Sequence, residues 1–122
     1  MAWVDGAKRY EVCTLPFQDF AGMNAALDLF LETGLPTVHA LVRERATQIV
    51  EWAVGRSDVQ LVTPADAARR AGIVSFVPPD AVASYRRLEA AGVSCALREG
   101  AVRLAPHFYN TAEEVDRALS AV

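Results

Sequence analysis

Apolar residues recur every third or fourth position over two long stretches early in the chain, and every second position over shorter stretches after them. From Asp19, read as an N-cap, to Glu32, the side chains of Met23, Ala26, Leu27, Phe30 and Leu31 share one face. That pattern predicts a first helix stopped by Gly34. Such regular spacing marks a core or interface face rather than a cofactor-binding box. A second helix opens at Pro36-Thr37 and ends at Gly55. Val38, Leu41, Val42, Ala46, Ile49, Val50 and Ala53 form its buried side, with Arg43, Glu44, Arg45 and Glu51 on the wet side.

The period then changes. Val59, Leu61 and Thr63 alternate with Gln60 and Val62 as a short strand cut off by Pro64, and Asp66 to Arg70 reads as a polar loop or helical turn. Gly72 to Val77 is the most strand-like run, apolar on both faces at its middle, which predicts a central strand. Pro78-Pro79 breaks it. Pro79 suits the first turn of a third helix from Asp80 to Ala91, with Val82, Tyr85, Leu88 and Ala91 inward and Gly92 as the C-cap. Val93 to Leu97 reads as the next strand, Arg98-Glu99-Gly100 as a tight hairpin connection, and Ala101 to Leu104 as the returning strand. Pro106 and His107 end the pairing and Tyr109-Asn110 turn the chain. Thr111 to Glu114 is a capping box that opens a last helix running to near Val122.

Strands joined through helices and a hairpin, with helices at both ends, predict an α+β two-layer sandwich. Its sheet is small, of roughly four strands, mixed but largely antiparallel, with helices packed on one face. Residues 1–16 read as an N-terminal arm and residues 17–122 as a single small domain.

Composition narrows the function classes. The chain has 122 residues, of which 52% are hydrophobic, so it is long enough for a real core and is not disordered. Its net charge of −3, with no basic run, gives no electrostatic footprint for nucleic acid. No apolar run approaches the length of a bilayer span, and the first residues lack the apolar centre of a signal peptide. The expectation is a soluble, cytoplasmic protein with no nucleic-acid or membrane partner. Cys13 and Cys95 do not suggest a disulfide framework; Cys95 reads as a small buried hydrophobe and Cys13 as a loop residue. His39 and His107 are far apart in sequence and neither has a partner at metal-ligand spacing, so no metal site is expected.

Candidate chemistry then reduces to one cation. Alternation sets Val102 and Leu104 on one face of the last strand and Arg103 on the other, just before a turn and a helix start. A guanidinium so placed can hold a planar carboxylate through two parallel hydrogen bonds. A surface arginine on a half-exposed strand has the same pattern, and spacing alone leaves both readings open.

The stretch Arg103 to Asp116, RLAPHFYNTAEEVD, resembles the C-terminal signature of class V aminotransferases. These are the fold-type I pyridoxal-phosphate (PLP) enzymes that include cysteine desulfurases, kynureninases and isopenicillin N epimerase-like proteins. Arg9-Tyr10-Glu11-Val12-Cys13-Thr14 resembles a second signature of the same family. The resemblance covers nearly all of this chain but only about the last third of such an enzyme. It implies that Arg103 holds the α-carboxylate of an amino-acid-type substrate and that Thr14 contacts the cofactor phosphate, typically in a partner subunit's site. It implies PLP in the complete enzyme, with the lysine that carries it in a large domain absent from this chain. The chain alone is therefore expected to bind no cofactor and to have no catalytic residue of its own.

The resemblance also leaves the persulfide-forming desulfurases disfavoured, because their cysteine lies on a longer loop where Arg98-Glu99-Gly100 here runs almost directly into Arg103. Expected partners are the missing large domain or a partner subunit, and a homodimer through the apolar first helix. The competing reading is a free-standing, non-catalytic binding or oligomerisation module derived from the same domain.

Overall fold

The computed structural model describes residues 5–10 and 16–122. The chain divides into two compact units, Met1–Gly34 and Leu35–Val122. In the first unit a 3₁₀ turn spans Ala7–Tyr10, followed by helix α1, Phe17–Thr33. The helix starts three residues earlier than expected. Pro16 is its N-cap, and Asp19 lies inside the first turn, where its charge faces the positive end of the helix dipole. Gly34 ends it as predicted, at φ 84°, a conformation that costs glycine little. No residue of α1 is buried.

The second unit contains α2 (Leu35–Val54), β1 (Gln60–Leu61), β2 (Val74–Val77), α3 (Ala81–Ala90), β3 (Ala96–Arg98), β4 (Ala101–Leu104) and α4 (Ala112–Ser120). The strand order is β1-β2-β4-β3, and every pairing is antiparallel. The fold is thus α+β with an antiparallel sheet, and β2 takes the interior place that its sequence predicted. The β3–β4 turn is the pair Glu99-Gly100, at φ 52° and 78°. Both values are positive, the conformation that a two-residue hairpin needs to follow the strand twist.

The core is built from one face of the sheet. Val74 and Phe76 on β2 lie in register with Leu104 and Val102 on β4, and all four are buried. Against them pack Ala46, Ile49, Val50 and Ala53 from α2, Leu88 from α3, and Val115, Ala118 and Leu119 from α4. Trp52 meets the edge of Phe76 with ring centroids 5.2 Å apart. The Arg56 guanidinium lies over the Trp52 ring, 5.2 Å from its centroid, and Asp58 holds it by two hydrogen bonds of 3.0 and 2.7 Å. No single described helix is long and apolar enough to cross a membrane.

Three details depart from the periodicity. Arg45, expected on the wet side of α2, is buried because α4 packs there; it bonds Gln48 Oε1 at 3.2 Å and pairs with Glu44. On α3 Leu88 is inward as expected, but the other buried residue is Ser84, while Val82 and Ala91 are exposed. A buried serine is tolerated because its hydroxyl donates to the Val122 carbonyl at 2.9 Å and accepts from Arg87. Pro79 precedes the helix rather than opening it, and Asp80 is the N-cap, its carboxylate accepting from the Ala83 amide.

Gly72 marks the closest approach of the β2 lead-in to α2: a Cβ there would lie 2.5 Å from Val42 Cγ1. Val42 is β-branched and sits in a helix, so its rotamer is stiff. Gly72→Ala should therefore lower stability by about 1–3 kcal/mol, read as a lower denaturant midpoint at unchanged slope. An unshifted midpoint would mean that Val42 yields freely.

Candidate functional site

Arg103 occupies the middle of an interior strand. Its Cα partners are Ser75 on β2 and Ala96 on β3. Val102 and Leu104 on either side are buried at 0% and 5% exposure, so the pleat turns Arg103 out of their row of core side chains. It is half-buried, and no hydrogen bond or ion pair engages its guanidinium among the described residues. A guanidinium carries five donors and keeps its charge at any physiological pH, so a half-buried one without a partner is poised for an anion.

A cleft of about 780 Å³ opens beside it. The antiparallel hairpin brings the lead-in to β3 and the exit of β4 to the same end of the sheet, and the start of α4 closes the third side. Ile49, Val115 and Ala118 supply apolar lining; Arg103, Tyr109, Asn110, Glu114 and Arg117 supply the polar groups. Cys95 also lines it. Burial, and secondarily the charge of Glu89, push its thiol pKa up, so it is a poor nucleophile.

The start of α4 is closed as the capping box predicted. Thr111 Oγ1 accepts from the Glu114 amide at 3.2 Å, and Glu114 Oε2 accepts from the Thr111 amide at 3.0 Å. Asn110 extends this network: its Nδ2 donates to Glu114 Oε2 at 3.3 Å, and its Oδ1 accepts from the His107 amide at 2.9 Å. The Thr111 amide first, and then Asn110, hold the Glu114 carboxyl below its ordinary pKa. From the other side Gln48 on α2 ties α4 down, donating to Ala112 O at 3.0 Å and Asp116 Oδ1 at 2.6 Å.

Of the residues singled out by sequence, Arg103 lies in the cleft, Thr14 lies outside the described residues, and His39 is exposed on α2. Asn110, Glu114 and Arg117 were not singled out as site residues. The T-x-x-E box pointed to Glu114 as a cap, but nothing in the spacing shows that Asn110 bridges it to His107. Among the described residues, no lysine lines the cleft, so it does not by itself supply a Schiff-base partner for PLP; the Arg103 guanidinium is its anion-binding candidate.

Lowered Glu113 and Glu114 pKa values make the α4 cap sensitive to acid. A carboxylate favoured by folding stabilises fully above its unfolded pKa, about 4.3, and that contribution is lost as pH falls through the lower folded value. Glu114→Gln should flatten the acid limb of a stability–pH profile, leaving the dependence contributed by Glu113 and by Asp58, which Arg56 holds below its ordinary pKa. An NMR titration placing the Glu114 carboxyl at or above the ordinary value would contradict this.

Comparison with known proteins places these features in context. The model of the kynureninase C-terminal domain matches residues 39–122. The uncharacterized aminotransferase YcbU of Bacillus subtilis is 31% identical over 121 residues, which cover 99% of this chain and 32% of that protein. The cystine C-S lyase C-DES, solved with its reaction product cysteine persulfide, has a TM-score of 0.80 at 25% identity. A C-DES mutant with glycine covalently linked to the PLP cofactor has a TM-score of 0.83 at 25% identity. Each of these two matches covers 98% of this chain and 32% of the other. The chain therefore spans about a third of the length of the relatives it matches.

Proposed function

The chain belongs to the kynureninase C-terminal domain family, as the C-terminal domain of a class V aminotransferase-like protein, and from that premise we propose that Arg103 anchors the carboxylate of an amino-acid-type substrate. The observation that carries this reading is the guanidinium itself: half-buried, in a cleft, and without a partner among the described residues. A planar carboxylate would take two parallel hydrogen bonds from it and fix the substrate's orientation as well as its position.

In this reading residues 17–122 are the small domain of a longer catalytic unit. PLP, when bound, supplies the sink for negative charge developing on the substrate. The lysine that carries it belongs to the large domain. Lys8, the only lysine in the chain, stands on an exposed 3₁₀ turn in the N-terminal unit. Thr14, with its short hydroxyl side chain, contributes a contact to the cofactor phosphate. The chain's own residues do not transform substrate; they bind and orient it. The named relatives are an aminotransferase and a C–S lyase, so the reaction class follows from residues in the large domain.

Arg103→Lys, made in the enzyme that contains this domain, keeps the charge and loses the fork. The expected result is a fall in kcat/KM of roughly tenfold to a thousandfold, equivalent to about 1.4–4 kcal/mol. Unchanged kinetics would return Arg103 to an ordinary surface role.

The same reading extends to assembly. Phe17, Phe20, Met23, Leu27 and Leu31 are exposed along α1. So much apolar surface on one helix favours association, and a two-fold homodimer is the commonest closed solution. The chain should sediment as a dimer at micromolar concentration, and Leu27→Glu should shift it toward monomer. A monomer at high concentration in the unmutated chain would rule this out.

A further inference from the structure

We propose that Asn110 is a positioning residue: its side-chain amide locks the connection between β4 and α4 into the shape that walls the Arg103 cleft. The functional consequence rests on the carboxylate reading of Arg103, whereas the lock itself is a property of the free chain. The connection, residues 105–111, makes no strand-ladder bonds, and Ala105, Pro106, Tyr109 and Asn110 line the cleft. An irregular segment of this length has many conformations available unless specific bonds remove them. Its three rings pack edge-to-face or tilted against one another, with centroids 5.1 to 5.5 Å apart, while Tyr109 remains 71% exposed.

Among the described residues, one backbone bond and two side-chain bonds meet at a single residue of the connection. The Asn110 amide donates to the His107 carbonyl at 3.0 Å, and the His107 amide donates back to Asn110 Oδ1 at 2.9 Å, which closes a small ring. Asn110 Nδ2 then donates to Glu114 Oε2, the same oxygen that caps Thr111. The ring around the aromatic turn is thereby fastened to the rigid first turn of α4. Only a side chain with an acceptor and a donor on one short planar group can do both. Aspartate has no donor and would set a like charge against Glu114; glutamine is longer by one carbon; alanine has neither group.

The test uses the full chain. In Asn110→Ala and Asn110→Asp, hydrogen exchange at the His107 amide should accelerate by about tenfold. Binding of acetate, followed by the Arg103 Nε resonance, should weaken alongside. Combining Asn110→Asp with Glu114→Gln moves the donor to the other side of the same pair at unchanged net charge. It should restore slow exchange and acetate binding, a rescue that general loss of stability would not produce. Unchanged exchange in the single variants, or a double variant no better than Asn110→Asp, would overturn the proposal. An unmutated chain that ignores acetate but shows the exchange pattern counts against the carboxylate reading and supports the lock.

Discussion

The register of β2 against β4 is the constraint on which the other features depend. Pairing Val74 with Leu104 and Phe76 with Val102 puts four apolar side chains on one face, where three helices cover them. Because a strand alternates with a period of two, the same register turns Arg103 out of that row of core side chains. A slip of one residue would bury a guanidinium among Ile49, Leu88 and Phe76 and expose Val102 and Leu104. Desolvating an unpaired charge costs far more than such a core could return, so the register and the placement of Arg103 are one decision.

The helices turn that decision into a cleft. α2 packs against β1, β2 and α4, and its Gln48 reaches both the backbone and a carboxylate of α4. With α4 anchored there, its capped first turn stands at the end of the sheet where β4 exits. Asn110 and Glu114 finish the wall between them. The site is therefore assembled from one strand residue and one short connection, each held by elements whose own reasons for being in place are core packing and capping.

Much of this was legible in the chain. The T-x-x-E spacing, the Glu99-Gly100 turn and the Gly34 stop each depend on bonds between residues two to four apart, so their physics is complete within the local sequence. The inward face of α3 was legible only at Leu88. Val82 and Tyr85 are more apolar than Ser84, and only the Val122 carbonyl, far along the chain but adjacent in space, makes burial of a serine acceptable. Arg45 is a similar case: the arrival of α4, not its own helix, took it out of water.

By itself, the sequence determined the element types and their order, the turn and cap chemistry, the alternation that separates Arg103 from its neighbours, and through its signatures the family. Tertiary structure alone decided that Arg103 sits in a cleft without a partner among the described residues, that Cys95 lines the same cleft as a poorly ionising thiol, and that Asn110 joins the aromatic turn to the α4 cap. The physical reason is the range of the interactions. Backbone preference, capping and alternation act over a few residues, whereas burial, desolvation and the presence or absence of a partner depend on what the rest of the chain brings alongside.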